Sequence, residues 1–88
     1  MMITEVKATS PGRLAIVSDD GRHGTFDVRP YFDSPAFRPL TEWSEFSRVR
    51  NGGYFIEWSC GADLSADTIE AKWQVRQEQQ AQPMDAGL

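Results

Sequence analysis

The stretch RLAIVSDDGRHGTFDV, residues 13–28, constrains the fold of this chain more than any other. Apolar residues recur at every second position on either side of an Asp19-Asp20-Gly21 turn, as in a half-buried antiparallel hairpin. Loop length decides which residues meet. A two-residue Asp20-Gly21 turn would set Leu14 and Ile16 against Asp27 and Thr25, with acid on the apolar face. A three-residue loop pairs Ser18 with Arg22, Ile16 with Gly24 and Leu14 with Phe26, and Val28 joins the same face. A one-residue slip inverts every side chain, so burial selects the second register. Gly21 then supplies the left-handed residue of the bulge. The opposite face carries Ala15, Val17, His23 and Thr25, with His23 near Val17.

The flanking segments extend this hairpin into a small antiparallel sheet. ITEVKAT (residues 3–9) alternates and reads as a strand, joined to the hairpin by a Ser-Pro-Gly turn. Residues 30–40 hold three prolines and three aromatics, which reads as an irregular crossing. Its Tyr31, Phe32, Phe37 and Leu40 are expected to dock on the core. Residues 41–49 read as a short helix capped by Thr41, with Trp43, Phe46 and Val49 as its apolar stripe. After an Asn51-Gly52-Gly53 turn, residues 54–58 read as a strand with Tyr54, Ile56 and Trp58 on one face. All three tryptophans, Trp43, Trp58 and Trp73, are expected in the core. An exposed Trp or Tyr would instead mark a protein interface.

WSCGADLSADTIEAKW, residues 58–73, launches the last element. Gly61 permits a tight turn, and Asp63 is expected to bond backbone donors in that turn or at the helix start. Ser65 is a good N-cap, with Leu64 before it packing down as a staple; Thr68 occupies the capping-box position, so the reciprocal box is missing. The main helix is predicted over residues 65–78, with Ala66, Ile69 and Trp73 on its packed face. The expected fold class is therefore α+β: a hairpin-rich antiparallel sheet against one short and one longer C-terminal helix. The domain is expected over residues 1–76, with 77–88 a polar, disordered tail.

The residues that could carry chemistry are few. One cysteine allows no internal disulfide and fits a reducing compartment. Cys60, His23 and Asp63 form no local catalytic signature, and a partly buried thiol after a strand is the blander reading of Cys60. Two candidate ligands, His23 and Cys60, fall short of a structural zinc site, and no cofactor is expected. With nine Lys and Arg against thirteen Asp and Glu, the net charge is −4, which poorly serves binding to a phosphate backbone. No apolar run is long enough to cross a bilayer and no leader pattern opens the chain, so a cytoplasmic protein is expected.

Taken in order, RLAIVSDDG, FDVRPYF, PAFRPL, FSRVR and WSCGADLSADTI resemble the small bacterial family of unknown function DUF2442. The resemblance runs from Val6 to Ile69 and is densest at Leu14, Asp20-Gly21, Phe26-Asp27, Pro39-Leu40, Phe46, Val49, Trp58 and residues 61–65. The family usually reads Trp-Pro-Asn-Gly where this chain reads Trp58-Ser59-Cys60-Gly61, and an aromatic where Ser18 stands. Cys60 thus lies outside the family pattern. The resemblance implies a compact α+β domain without assigned site residues. Some members carry a helix-turn-helix segment and others are encoded beside small toxin-like proteins, which implies regulatory or partner-binding work. No such segment follows Ile69, so DNA binding is not expected.

The reading that follows is a non-enzymatic protein-interaction or regulatory module, such as an accessory or antitoxin-like subunit with a partner encoded nearby. One alternative is a small hydrolase or transferase using Cys60 or a carboxylate; another is a nucleic-acid-associated regulator. The residues singled out are Trp58, Gly61, Asp63 and Ser65 for the structural motif, and Val17 and His23 for self-association. A homodimer through the Ala15, Val17, His23 and Thr25 face is expected unless the residue 30–40 crossing covers it.

Overall fold

The computed structural model describes residues 1–76. The chain builds two antiparallel sheets where one was expected. The first contains β1 (Ile3–Ser10), β2 (Arg13–Ser18), β3 (His23–Asp27) and β7 (Gln74–Val75), in the order β1-β2-β3-β7. The second contains β4 (Arg50–Asn51), β5 (Phe55–Glu57) and β6 (Asp63–Ser65) in that order. Between them lie two 3-10 turns, Arg29–Tyr31 and Arg38–Thr41, and a one-turn helix α1 (Trp43–Phe46). Helix α2 (Ala66–Lys72) joins β6 to β7.

The central hairpin has the register selected by burial: Leu14 lies opposite Phe26, Ile16 opposite Gly24 and Val17 opposite His23. The loop closes through Ser18 N–H to Arg22 C=O (3.0 Å) and Gly21 N–H to Ser18 C=O (3.0 Å), with Gly21 at φ +90°. The β5–β6 loop repeats the device. Trp58 N–H donates to Ala62 C=O (2.9 Å), Gly61 N–H donates to Trp58 C=O (3.0 Å), and Gly61 takes φ +101°. Both loops use glycine because a side chain is strained at positive φ.

One core receives the inner faces of both sheets: Ile3, Leu14, Ile16 and Phe26 from the first, Ile56 and Leu64 from the second. Phe46, Leu40, Val28, Trp58 and Ile69 complete it. The sheets meet where Ile3 N–H donates to Gly53 C=O (2.7 Å) and Asn51 Nδ2 donates to Ile3 C=O (2.9 Å). Tyr31, Phe32 and Phe37 of the crossing pack against this core as expected, and Leu40 is buried in it.

Several expectations are corrected. Helix α2 stops at Lys72, six residues short of the predicted end at Glu78; Gln77 and Glu78 lie outside the described residues. Trp73 N–H still closes on Ile69 C=O (2.8 Å), but ψ 164° turns the chain into β7. The indole is buried against Gly24 of β3, and Gln74 and Val75 pair with Thr25 and Gly24. Tertiary burial and strand pairing thus override local helix propensity. Thr41 ends a 3-10 turn, with its hydroxyl donating to Arg38 C=O (2.9 Å), rather than capping α1. Glu42 holds the N-cap position without a side-chain bond. Trp43 is 46% exposed because a one-turn helix buries only Phe46, and Tyr54 is 67% exposed because it precedes β5. The predicted tail, residues 77–88, lies outside the described residues.

Candidate functional site

Side chains alternate across the first sheet, so burying Leu14, Ile16, Gly24 and Phe26 turns Ala15, Val17, His23 and Thr25 outward. Register adds Glu5 beside Val17, Lys7 beside Ala15 and Gln74 beside Thr25. The outer face therefore has a small apolar centre in a polar, mixed-charge frame. It forms a concavity of about 320 Å³ whose lining includes Ala15, Val17, His23, Thr25, Gln74 and Arg76. The residue 30–40 crossing does not cover it. Its aromatics lie on the opposite side, with Tyr31 stacked on Phe26 (6.1 Å) and Phe37 edge-on to Trp58 (6.3 Å).

Val17 and His23 are thus cross-strand partners on one surface, whereas Trp58, Gly61, Asp63 and Ser65 belong to the second sheet and its exit. Trp58 is buried, and its indole N–H donates to Phe46 C=O at 2.9 Å. Ser65 accepts from Thr68 N–H at 3.1 Å, the expected cap, and its hydroxyl also donates to Thr68 Oγ1 at 3.0 Å. Leu64, expected to pack as the residue before the cap, is buried in β6. Asp63 does not bind turn donors. It sits in β6 opposite Glu57, exposed, and its carboxylate makes no hydrogen bond or ion pair among the described residues. The buried residues Ala62, Leu64 and Ala66 alternate around it, and that pattern sends Asp63 to solvent.

Cys60 is exposed in the β5–β6 loop. Its backbone N–H donates to Glu45 Oε2 (3.0 Å), Ser59 Oγ donates to the same oxygen (2.8 Å), and its sulfur lies 4.0 Å from Ala36 C=O. Those bonds, the Ser59 hydroxyl first, hold the Glu45 carboxyl below its ordinary range. No bond among the described residues joins Cys60 to His23 or Asp63. Glu45 thus ties α1 to the loop, a role its place in the helix's first turn did not signal.

A charged latch fastens α2 to the hairpin. Arg22 bridges Asp20 and Glu70, at 2.8 Å to each, and its guanidinium lies 5.4 Å from the Trp73 ring centre. The N-terminal ammonium also reaches Glu70 at 3.4 Å. Bonding to Ser18, then to the Arg22 backbone, lowers the Asp20 pKa; the Arg22 side chain lowers that of Glu70. Asp27 is pulled down to about 2, chiefly by the side chain of Arg29. Sequence reasoning missed Gln74 and Arg76 in the lining of the outer-face concavity, and no local signal announces either.

Fold and surface together define a small two-sheet α+β domain whose open feature is a sheet face rimmed by charge. The family model described as "Protein of unknown function (DUF2442)" matches residues 3–75, from the start of β1 to the end of β7, and the chain belongs to that family. No curated protein and no solved structure matches it. Among the described residues, no helix is long and apolar enough to cross a membrane, and no three His, Cys, Asp or Glu side chains gather to hold a metal ion.

Proposed function

We propose that this chain is a non-enzymatic interaction module, an accessory or regulatory subunit, and that the outer face of its four-stranded sheet is the contact surface. The observation that carries the reading is the open concavity centred on Ala15 and Val17. A sheet with one face in the core and an apolar strip on the other can gain by covering that strip. A second copy is the first partner. Glu5 lies at one end of the row Glu5–Val17–His23, and the His23 imidazole lies toward the other. A two-fold operation brings unlike ends of such a row together. Edge-to-edge pairing through β1 is less favoured, because Glu5 and Lys7 sit on that strand and its register shifts near both ends.

Val17→Glu tests this reading. Gel filtration with light scattering at micromolar concentration is expected to give twice the 9.9 kDa chain mass for the wild type and the single mass for the variant. A wild type at the single mass across that range would overturn the pairing. A dimer untouched by Val17→Glu would move it to another surface.

A further inference from the structure

A further concavity adjoins the one on the sheet face, sharing Thr25 and Gln74 with it. Register sets Arg13 beside Asp27 on the outer face, and the last residue of α2 brings Lys72 next to them. A concavity of about 150 Å³ is lined by Arg13, Asp27, Lys72 and Gln74, among others. A second, of about 400 Å³, shares Phe26, Asp27 and Lys72 with it and extends over Pro30 and Tyr31. Its aromatic floor is Phe26 and Tyr31, whose rings stack at 6.1 Å.

The charges here run against the rest of the protein. Lys72 Nζ stands 6.0 Å from the centre of the Tyr31 ring. Neither Lys72 nor Arg13 closes an ion pair among the described residues. Asp27 is already matched by Arg29, which donates two hydrogen bonds of 2.9 Å to its two oxygens. With Asp27 matched in this way, Arg13 and Lys72 leave the cleft a local excess of positive charge, in a chain whose formal charge is −4.

We propose that this cleft binds an acidic segment of a partner protein, with a carboxylate between Lys72 and Arg13 and a neighbouring aromatic side chain on Pro30 and Tyr31. A local excess of positive charge beside an aromatic floor matches a peptide that alternates acid and ring. The fixed negative charge of Asp27 in the middle of the cleft opposes a nucleic acid, whose phosphates are continuous, more than it opposes spaced carboxylates. The lining of this site includes neither Val17 nor His23, and the site does not depend on self-association.

The probe is a fluorescein-labelled, acetylated and amidated peptide of sequence Glu-Asp-Phe-Glu-Asp, read by anisotropy against the full chain at low salt. Its Gln-Asn-Phe-Gln-Asn counterpart serves as the control. Binding is expected for the acidic peptide, with affinity at least about tenfold lower for the amide peptide, for Lys72→Met and for Arg13→Met. Both side chains are exposed, so unchanged circular dichroism should show that the variants fold. Added salt should weaken the interaction. Val17→Glu is expected to keep the wild-type peptide affinity, whatever it does to the dimer. The proposal fails if neither peptide binds, if both bind alike, or if Lys72→Met binds as the wild type does. It also fails if Val17→Glu abolishes binding, or if a single-stranded oligonucleotide of equal length binds more tightly than the acidic peptide.

Discussion

Gly24→Ala probes the contact that ends helix α2. A Cβ at this position would stand 2.5 Å from Cε3 of Trp73 and 2.9 Å from the backbone oxygen of Gln74, where ordinary contact begins near 3.4 Å. The buried indole, or β7 itself, must therefore withdraw by about 1 Å, and neither is the loose end of a flexible chain. Overpacking of this kind costs about 1–3 kcal/mol. Replacing glycine by alanine returns about 0.4–1 kcal/mol by restricting the unfolded chain. At mid-range values the net is a loss of about 1.3 kcal/mol, or a fall in Tm of roughly 5–10 °C for a domain of this size. Full release of Trp73 would set the ceiling, about 4–6 kcal/mol for an indole burying 150–250 Å². Urea unfolding followed by tryptophan fluorescence gives the number, and a double-mutant cycle gives the cause. In a Trp73→Ala background the alanine should cost clearly less, with the contact to the Gln74 oxygen remaining. An equal loss in both backgrounds, or a wild-type background that is not destabilised, would refute the close approach of Trp73 to β3.

Trp58→Phe is expected to destabilise by about 1–3 kcal/mol in urea titration, because it leaves the buried carbonyl of Phe46 without its donor. Asp63→Ala should leave the midpoint within about 0.5 kcal/mol of wild type, since its carboxylate is exposed and without a bond among the described residues. Alkylation of exposed Cys60 should leave the circular dichroism and the association state unchanged. Acid should weaken the fold: Asp20, Asp27, Glu45 and Glu70 all have folded pKa values below their ordinary ones. Their contribution is complete above the unfolded carboxylate values, near pH 4–4.5, and is lost as pH falls toward about 2. A urea midpoint flat from about pH 5 to pH 2 would contradict those ion pairs.

The central hairpin was legible because two constraints agreed: its loop length and the face on which Leu14, Ile16 and Phe26 could be buried together. The Ser65 cap was legible because capping is local chemistry. The end of α2 was not. Ala66, Ile69 and Trp73 fit a helical face, and the partner that pulls Trp73 into an extended conformation, Gly24, is distant in sequence. Trp43 was misplaced because a spacing of three implies a stripe only where the helix is long enough to have one, and α1 has a single turn. Asp63 was read from its glycine and serine neighbours, while apolar Ala62 and Leu64 on either side of it already alternate as in a strand. Of the surface, Val17 and His23 followed from the register. The groove's other walls, from β7 and the end of α2, needed the three-dimensional return of the chain.

The proposed contact between two copies, through the open face of the first sheet, makes a direct prediction in solution. Amide chemical shifts recorded on dilution from millimolar to micromolar concentration test it most directly. The changes should centre on Ala15, Val17, His23, Thr25 and Gln74 and vanish in Val17→Glu. Changes centred instead on the exposed aromatics Trp43, Tyr54 and Phe55, or a spectrum that does not change with concentration while the mass stays that of a single chain, would contradict it.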